Sequence, residues 1–319
     1  MNPIPEIPVF FTIDDSYAPF LAVALHSAVV NSNPSRRYRA IILHENLAPE
    51  NQKKLAALAS GNFAVDFVPM EYGLEAITDR MSNYLRCDYF TLTIYFRLFI
   101  PTMFPQYDKA IYIDSDVVVT GDLAELYDIP LEDNFIGACP DHSVVDIPEL
   151  ARYMENAVGV DRYHYINSGV LLMNLKKLRE AGFDRHFLNL LTTYHFDCIA
   201  PDQDYLNAIC AGKIHYLPPC WDAMPTEGKP PMADARLIHY NLFSKPWCYD
   251  GVQYDREFWQ YARGSGFLEE IKAFKANYSD EQKKSDADCL ALLVRRGDEI
   301  WKQDVTFKKM QESGVKIRL

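Results

Sequence analysis

No stretch of this sequence approaches 18 consecutive apolar residues, so no segment reads as a membrane-spanning helix. A basic surplus is also missing: 32 Lys and Arg face 44 Asp and Glu, for a formal net charge of −12. That balance excludes a general nucleic-acid binder, because neutralising phosphates needs an excess of Lys and Arg. It does not exclude a diphosphate ligand, since a divalent cation can supply positive charge locally. The seven cysteines (Cys87, Cys139, Cys198, Cys210, Cys220, Cys248 and Cys289) include no C-x₂-C pair, which excludes a zinc ribbon or thioredoxin motif. An odd, unpatterned set suits mostly buried thiols in a reducing compartment. The opening MNPIPEIPVFFTIDD lacks a basic n-region, so it does not read as a signal peptide and a cytoplasmic location is expected. No glycine-rich loop follows the first strand candidate, so neither Walker nor Rossmann phosphate chemistry is supported.

What is present fits an α/β protein. With 319 residues, nearly half of them apolar, the chain can bury a full α/β core and carry an appendage. Val9–Ile13 reads as a buried strand, and Tyr17–Asn31 follows with helical spacing. Arg39–Leu43 and Phe63–Val68 are further strands around a helix at Pro49–Ala59. Leu92–Phe99 looks helical and is expected to stop at Pro101. Ala110–Ile113, Phe135–Cys139, Gly169–Asn174 and Leu237–Tyr240 add strands, with helices at Asp184–Tyr194 and Asp202–Cys210. Alternation of this kind implies βαβ units and a mainly parallel sheet. Val144–Tyr165 is a long irregular connection, with a helix at Pro148–Ala157, and reads as a lid over the site. A boundary near Asp250 separates a catalytic domain, 1–250, from a helical C-terminal extension, 251–319. A capping box at Ser279–Gln282 opens the later part of that extension.

The run Ala110-Ile-Tyr-Ile-Asp-Ser-Asp116 is the most informative stretch. In open α/β sheets ligands collect beyond the carboxyl ends of strands. Asp114 and Asp116 can converge there as hard oxygen ligands for Mn²⁺ or Mg²⁺. Asp202-Gln203-Asp204 and Asp286-Ala287-Asp288 have the same spacing, but neither follows an apolar strand. Asp14 either accepts a hydrogen bond from a base or ribose, or caps the next helix with Asp15. Arg97, alone in an apolar helix, either pairs with a structural carboxylate or reaches the anionic cluster. Asn167-Ser168-Gly169 reads as a turn or as an amide offered to a sugar hydroxyl. Asp202 reads as an N-cap or as a ligand group at a helix start. His239 would complete an Asp/Asp/His set, and Lys245 could meet a phosphate.

Seven motifs in one order carry a resemblance: FFTIDDSYAPFLAVALHSAVVNS, YFRLFIPTMF, KAIYIDSDVVVTGDLAELYDIPL, IGACPD, YINSGVLLMNLKKLRE, PDQDYLNAI and LIHYNLFSKPW. Over residues 8–250 the chain resembles glycosyltransferase family 8, the retaining family that includes glycogenin and bacterial lipopolysaccharide galactosyl- and glucosyltransferases. The resemblance implies a GT-A fold, a UDP-hexose donor, a saccharide or glycolipid acceptor and a Mn²⁺ cofactor, with Mg²⁺ as the alternative. It makes Asp114, Asp116 and His239 the metal ligands. Thr12, Asp14, Ser16 and Tyr17 fall in the uridine pocket, with Ser115 beside it between the two acids. Arg97, Asp141, Asn167 and Asp202 fall at the donor sugar, Lys245 at the diphosphate, and Gln203 beneath the anomeric carbon. Leu242 stands where several members place a glycine whose backbone meets the diphosphate.

The implied reaction is hexosyl transfer with retention. Gln203 is an amide and a poor nucleophile, which favours same-face attack over a covalent glycosyl–enzyme, with Asp202 as the alternative nucleophile. The competing readings are a HAD-type phosphohydrolase acting through Asp114 and Asp116, a nucleotidyltransferase, and a non-catalytic nucleotide-sugar-binding protein. In the extension, the helices before Asn277 are expected to pack on the catalytic domain. The extension is expected to dock the enzyme to its acceptor or to the inner membrane face, and the stretch after Ser279 reads as expendable for donor chemistry.

Overall fold

A computed structural model describes residues 5–70, 93–226 and 228–319. Its centre is a seven-stranded sheet in the order β3-β2-β1-β4-β7-β6-β8. The strands are β1 (Glu6–Ile13), β2 (Arg37–His44), β3 (Phe63–Pro69), β4 (Ala110–Ile113), β6 (Ile136–Ala138), β7 (Val170–Met173) and β8 (Ile214–Tyr216). β5 (Val117–Val119) and β9 (Leu237–His239) form a separate antiparallel pair. Every side chain of β4 and β7 is buried, as their unbroken apolar runs require of strands covered on both faces.

β1 to β4 run parallel to one another, and β8 runs parallel to β6. β7 alone is reversed: it pairs antiparallel with β4, Ile113 opposite Val170, and with β6. This reversal positions the site. The start of β7 lies beside the carboxyl end of β4, and Asp114 donates its backbone N–H to the Gly169 carbonyl at 2.7 Å. The sheet is thus mainly parallel, as its alternating pattern implies.

Three local expectations change. Pro101 does not stop a helix; the Thr93–Phe96 helix ends in a turn, and Pro101 opens a second short helix, Ile100–Met103. Proline fits a first helical turn, where its missing N–H has no partner to lose. Leu92 and Cys87 lie outside the described residues. Val144–Tyr165 is a packed layer rather than an open loop: the Pro148–Tyr153 α-helix runs into a π-helical turn, Met154–Val158. Leu150, Tyr153, Met154, Val158 and Tyr165 are buried there.

The stretch after Ser279 is also not a loose tail. Its 21-residue helix, Asp280–Ile300, lies along Pro148–Tyr153. Leu293, Ile300, Phe307 and Ile317 enter the same core as Leu150 and Tyr153. Gly297 permits the close approach, because a Cβ there would stand 2.8 Å from the Leu150 side chain. The earlier helices, Asp255–Ala262 and Leu268–Ala276, pack on the Ala18–Val30 helix, as expected. Among the described residues no helix is long and apolar enough to cross a membrane.

Candidate active site

The site forms where β4, β6 and β1 end and β7 begins. β4 delivers Asp114, and the turn after it delivers Asp116. β9 pairs with β5 so that His239 faces Val117, and Tyr240 donates its N–H to the Asp116 carbonyl at 2.9 Å. One ligand atom from each of Asp114, Asp116 and His239 can be chosen with all three inside 4.8 Å of one another. Two carboxylate oxygens and an imidazole nitrogen suit Mg²⁺ or Mn²⁺, so the donor set fits a divalent cation. Gly169 lets the two side chains close in: a Cβ there would meet His239 Cε1 at 2.3 Å and Asp114 Oδ2 at 2.7 Å.

Opposed charges bind this set together. His239 Nε2 lies 3.3 Å from Asp116 Oδ1, and Nδ1 lies 2.9 Å from Asp222 Oδ1. Burial opposes the imidazolium, but Asp116 and Asp222 outweigh it and push His239 up to about 10. Burial likewise works against the Asp116 carboxylate, yet Lys245 and His239 hold it well below the usual range. The Lys245 ammonium pairs directly with Asp116 and donates to the Tyr240 carbonyl at 2.6 Å.

Arg97 braces the neighbouring set. Its guanidinium contacts Asp114 Oδ1 at 2.9 Å and Asp202 Oδ2 at 3.2 Å, donates to the Ser168 carbonyl at 2.7 Å, and stacks 4.3 Å over the Tyr112 ring. Burial disfavours its charge, but Asp114, Tyr112 and Asp202 raise its pKa beyond the usual arginine value. Both readings of the lone arginine therefore meet: it pairs with carboxylates, and these belong to the cluster.

Asp141, Asn167 and Gln203 form a closed network. Asp141 Oδ2 accepts from Asn167 Nδ2 and Gln203 Nε2, each at 3.0 Å. Gln203 Oε1 accepts the Ser168 N–H at 3.0 Å, and Asn167 Oδ1 accepts the Gly169 N–H at 2.8 Å. Asn167 thus fixes the turn and joins the site at once. Asp202 is not an N-cap: it sits inside the first turn of Pro201–Ile209 and accepts from Ser168 Oγ at 2.8 Å. The capping contact belongs to Asp204, whose Oδ2 accepts the Ala200 N–H at 3.0 Å while Tyr153 and Tyr165 donate to the same carboxylate.

The β1 end carries the remaining residues. Thr12 Oγ1 bonds the Tyr112 hydroxyl at 2.8 Å, which donates to Asp114 Oδ1 at 2.6 Å. Ser115 Oγ donates to the Thr12 carbonyl at 3.2 Å. Asp14 caps the short turn Asp15–Tyr17, accepting the Ser16 N–H at 2.9 Å, and Tyr17 stands beside it, half-buried. Leu242 holds the left-handed backbone, φ +55°, that a glycine would favour, and its N–H donates to Asn241 Oδ1 at 2.8 Å.

Ser168, Gly169 and Asp222 were not singled out as site residues from the sequence. Asp222 has no strand or helix pattern around it. Ser168 and Gly169 show only as a turn, although a glycine entering a buried strand is a signal of close approach.

The family model for glycosyl transferase family 8 matches residues 8–251. A putative glycosyltransferase of Haemophilus influenzae is 30% identical over 220 residues, 69% of this chain and 64% of that protein. The lipopolysaccharide 1,2-glucosyltransferase of Escherichia coli is 26% identical over 266 residues, 77% of this chain and 75% of that one. The galactosyltransferase LgtC, solved with donor and acceptor sugar analogues, superposes with a TM-score of 0.66 at 26% identity, over 88% of this chain and all of that one. The apo bifunctional glycosyltransferase WbbM shares the fold, with a TM-score of 0.73 at 22% identity, across 87% of this chain and 53% of its own. With a family model spanning most of its length and these motifs gathered at one end of the central strands, the chain belongs to glycosyl transferase family 8.

Proposed function

We propose that this protein transfers a hexose, glucose or galactose, from a UDP-sugar to a saccharide or glycolipid acceptor with retention of configuration. The observation that carries the reading is the Asp114/Asp116/His239 triangle set against the Asp141–Asn167–Gln203 network at one end of the central strands. Mn²⁺, or Mg²⁺ in its place, would be held by the triangle and supply Lewis-acid stabilisation of the departing UDP. Thr12, Asp14, Ser16, Tyr17 and Ser115 line the β1 and β4 ends, where the uridine would lie.

The chain's own residues do the rest. Lys245 adds positive charge beside Asp116, suited to diphosphate oxygens. Asp141 and Asn167 offer polar groups to the sugar. Gln203 is buried and held at both ends of its amide, so it stays fixed beneath the transferring carbon. Asp202 is ion-paired to Arg97 and accepts from Ser168 through Oδ2, contacts that lower its nucleophilicity. This favours same-face attack over a covalent intermediate on Asp202. The catalytic unit falls within 1–250, and 251–319 closes the core beside it. A membrane-bound tail is not needed for this reading, since Leu293 and Ile300 are buried against the rest of the protein.

The test is a donor screen with UDP-glucose, UDP-galactose and UDP-N-acetylhexosamines, following UDP release with Mn²⁺ and with excess chelator. UDP release with one hexose donor, abolished by chelator and lowered at least about tenfold in Asp116→Ala, is expected. Full activity in Asp116→Ala would overturn the site assignment.

A further inference from the structure

Asp222 touches the cluster from behind. Its carboxylate is fully buried, and Oδ1 lies 2.9 Å from His239 Nδ1, on the side of the ring away from Asp116. The backbone holds it there: Ala223 donates to the Leu237 carbonyl and His239 to the Ala223 carbonyl, each at 2.9 Å, which ties the segment along β9. Its other oxygen, Oδ2, is buried with no hydrogen-bond partner among the described residues. A buried carboxylate is costly unless it is paired, and here the His239 ring supplies that pairing. A single bond to one imidazole nitrogen is the arrangement that aims the ring's other nitrogen at a cation.

The structure assigns Asp222 as the positioning residue for His239: it accepts the Nδ1–H and thereby presents Nε2 to the Asp114/Asp116 pair. This rests on the divalent-cation reading above. With Asp222 Oδ1 accepting at 2.9 Å, Nδ1 keeps its proton, and Nε2 is the nitrogen that would give up its proton to a bound cation. Without it the ring could turn about its Cβ–Cγ bond or exchange tautomers, and the third ligand would be lost part of the time.

The experiment uses the full chain with ¹⁵N-labelled histidine, Mn²⁺ alone as the probe, and Asp222→Ala, Asp222→Asn and Asp116→Ala beside the natural protein. In the metal-free natural protein a downfield, exchange-protected His239 Nδ1–H resonance is expected. It should vanish in Asp222→Ala and persist, shifted, in Asp222→Asn, whose amide oxygen still accepts. Mn²⁺ Kd should rise about 10–100-fold in Asp222→Ala and less in Asp222→Asn. A Kd within twofold of the natural protein in Asp222→Ala, or a surviving Nδ1–H resonance there, overturns the assignment. If Asp222→Ala does not fold, Asp222→Asn decides: a Kd raised at least threefold supports the assignment and an unchanged one overturns it. Asp116→Ala separates the two readings. If it abolishes Mn²⁺ binding while the Asp222 variants bind normally, only the present assignment falls. If it leaves binding intact, the cation site itself falls.

Discussion

Replacing Arg97 by Met should cost more stability than any other single change at the site. The guanidinium is buried and serves Asp114, Asp202, the Ser168 carbonyl and hydroxyl, and the Ile94 carbonyl. Removing one partner of a buried ion pair typically costs about 3–5 kcal/mol, because the other charge is left uncompensated. Here two carboxylates lose their partner, so the upper end of that range applies. Total stability of a folded domain is about 5–15 kcal/mol, so Arg97→Met should give up about a third of it or more. Arg97→Lys keeps the charge, but one ammonium cannot span both carboxylates in the planar geometry of a guanidinium. Of the five polar contacts at least two are lost, at about 1 kcal/mol each, so a loss of about 2 kcal/mol is expected. Urea unfolding followed by fluorescence of the four tryptophans reads both variants. If Arg97→Met unfolds within 1 kcal/mol of the natural protein, the guanidinium is not the brace described here.

Other outcomes follow from single features. Gly169→Ala places a methyl where His239 and Asp114 stand, so about 1–3 kcal/mol of overpacking is expected together with weakened Mn²⁺ binding; unchanged Mn²⁺ Kd and melting temperature would refute it. Burial pushes Asp204 up to about 6 in spite of its three donors, so the folded chain holds that proton more tightly than the unfolded one. Its contribution is full below about pH 4 and lost as pH rises through 6, about 3 kcal/mol in all, so Asp204→Asn should gain on the natural protein across that window in thermal melts. A gap between the two that does not change with pH would remove this account. Truncation after Tyr278 withdraws Leu293, Ile300, Phe307 and Ile317 from the core, at least about 6 kcal/mol of burial, and should give an unstable product. A truncated chain melting within two degrees of the full one would show that these contacts contribute little.

The apolar runs of β1, β4 and β7 made the sheet legible in the sequence, and the acids at the end of β4 made the site visible. A strand's direction leaves no such trace. VLLM reads the same whether β7 runs with its neighbours or against them, yet only the reversed strand brings Asn167, Ser168 and Gly169 to Asp114. Helix 280–300 is hard to place for a related reason: only Leu293, Gly297 and Ile300 of its 21 residues are buried, so it looks solvated until the Pro148–Tyr153 layer is set beside it. Asp222 stayed hidden because a buried carboxylate and an exposed one have the same letter. The order of motifs, not any one of them, singles out Gln203 and Asp202, and the fold brings them beside Ser168 and Arg97.

The π-helical turn at Met154–Val158 constrains how this chain can change in length. Gly159 donates to the Met154 carbonyl at 2.9 Å, five residues back, so the turn holds one residue more than an α-turn would. Deleting a residue there would let ordinary α-helical bonds form. It would also rotate everything downstream by about 100° relative to Tyr153. Tyr153 is anchored to Asp204 on one side of the turn, and Val158 is buried in the core on the other. Both anchors cannot survive that rotation, so the segment above Gln203 should accept substitutions far more readily than insertions or deletions.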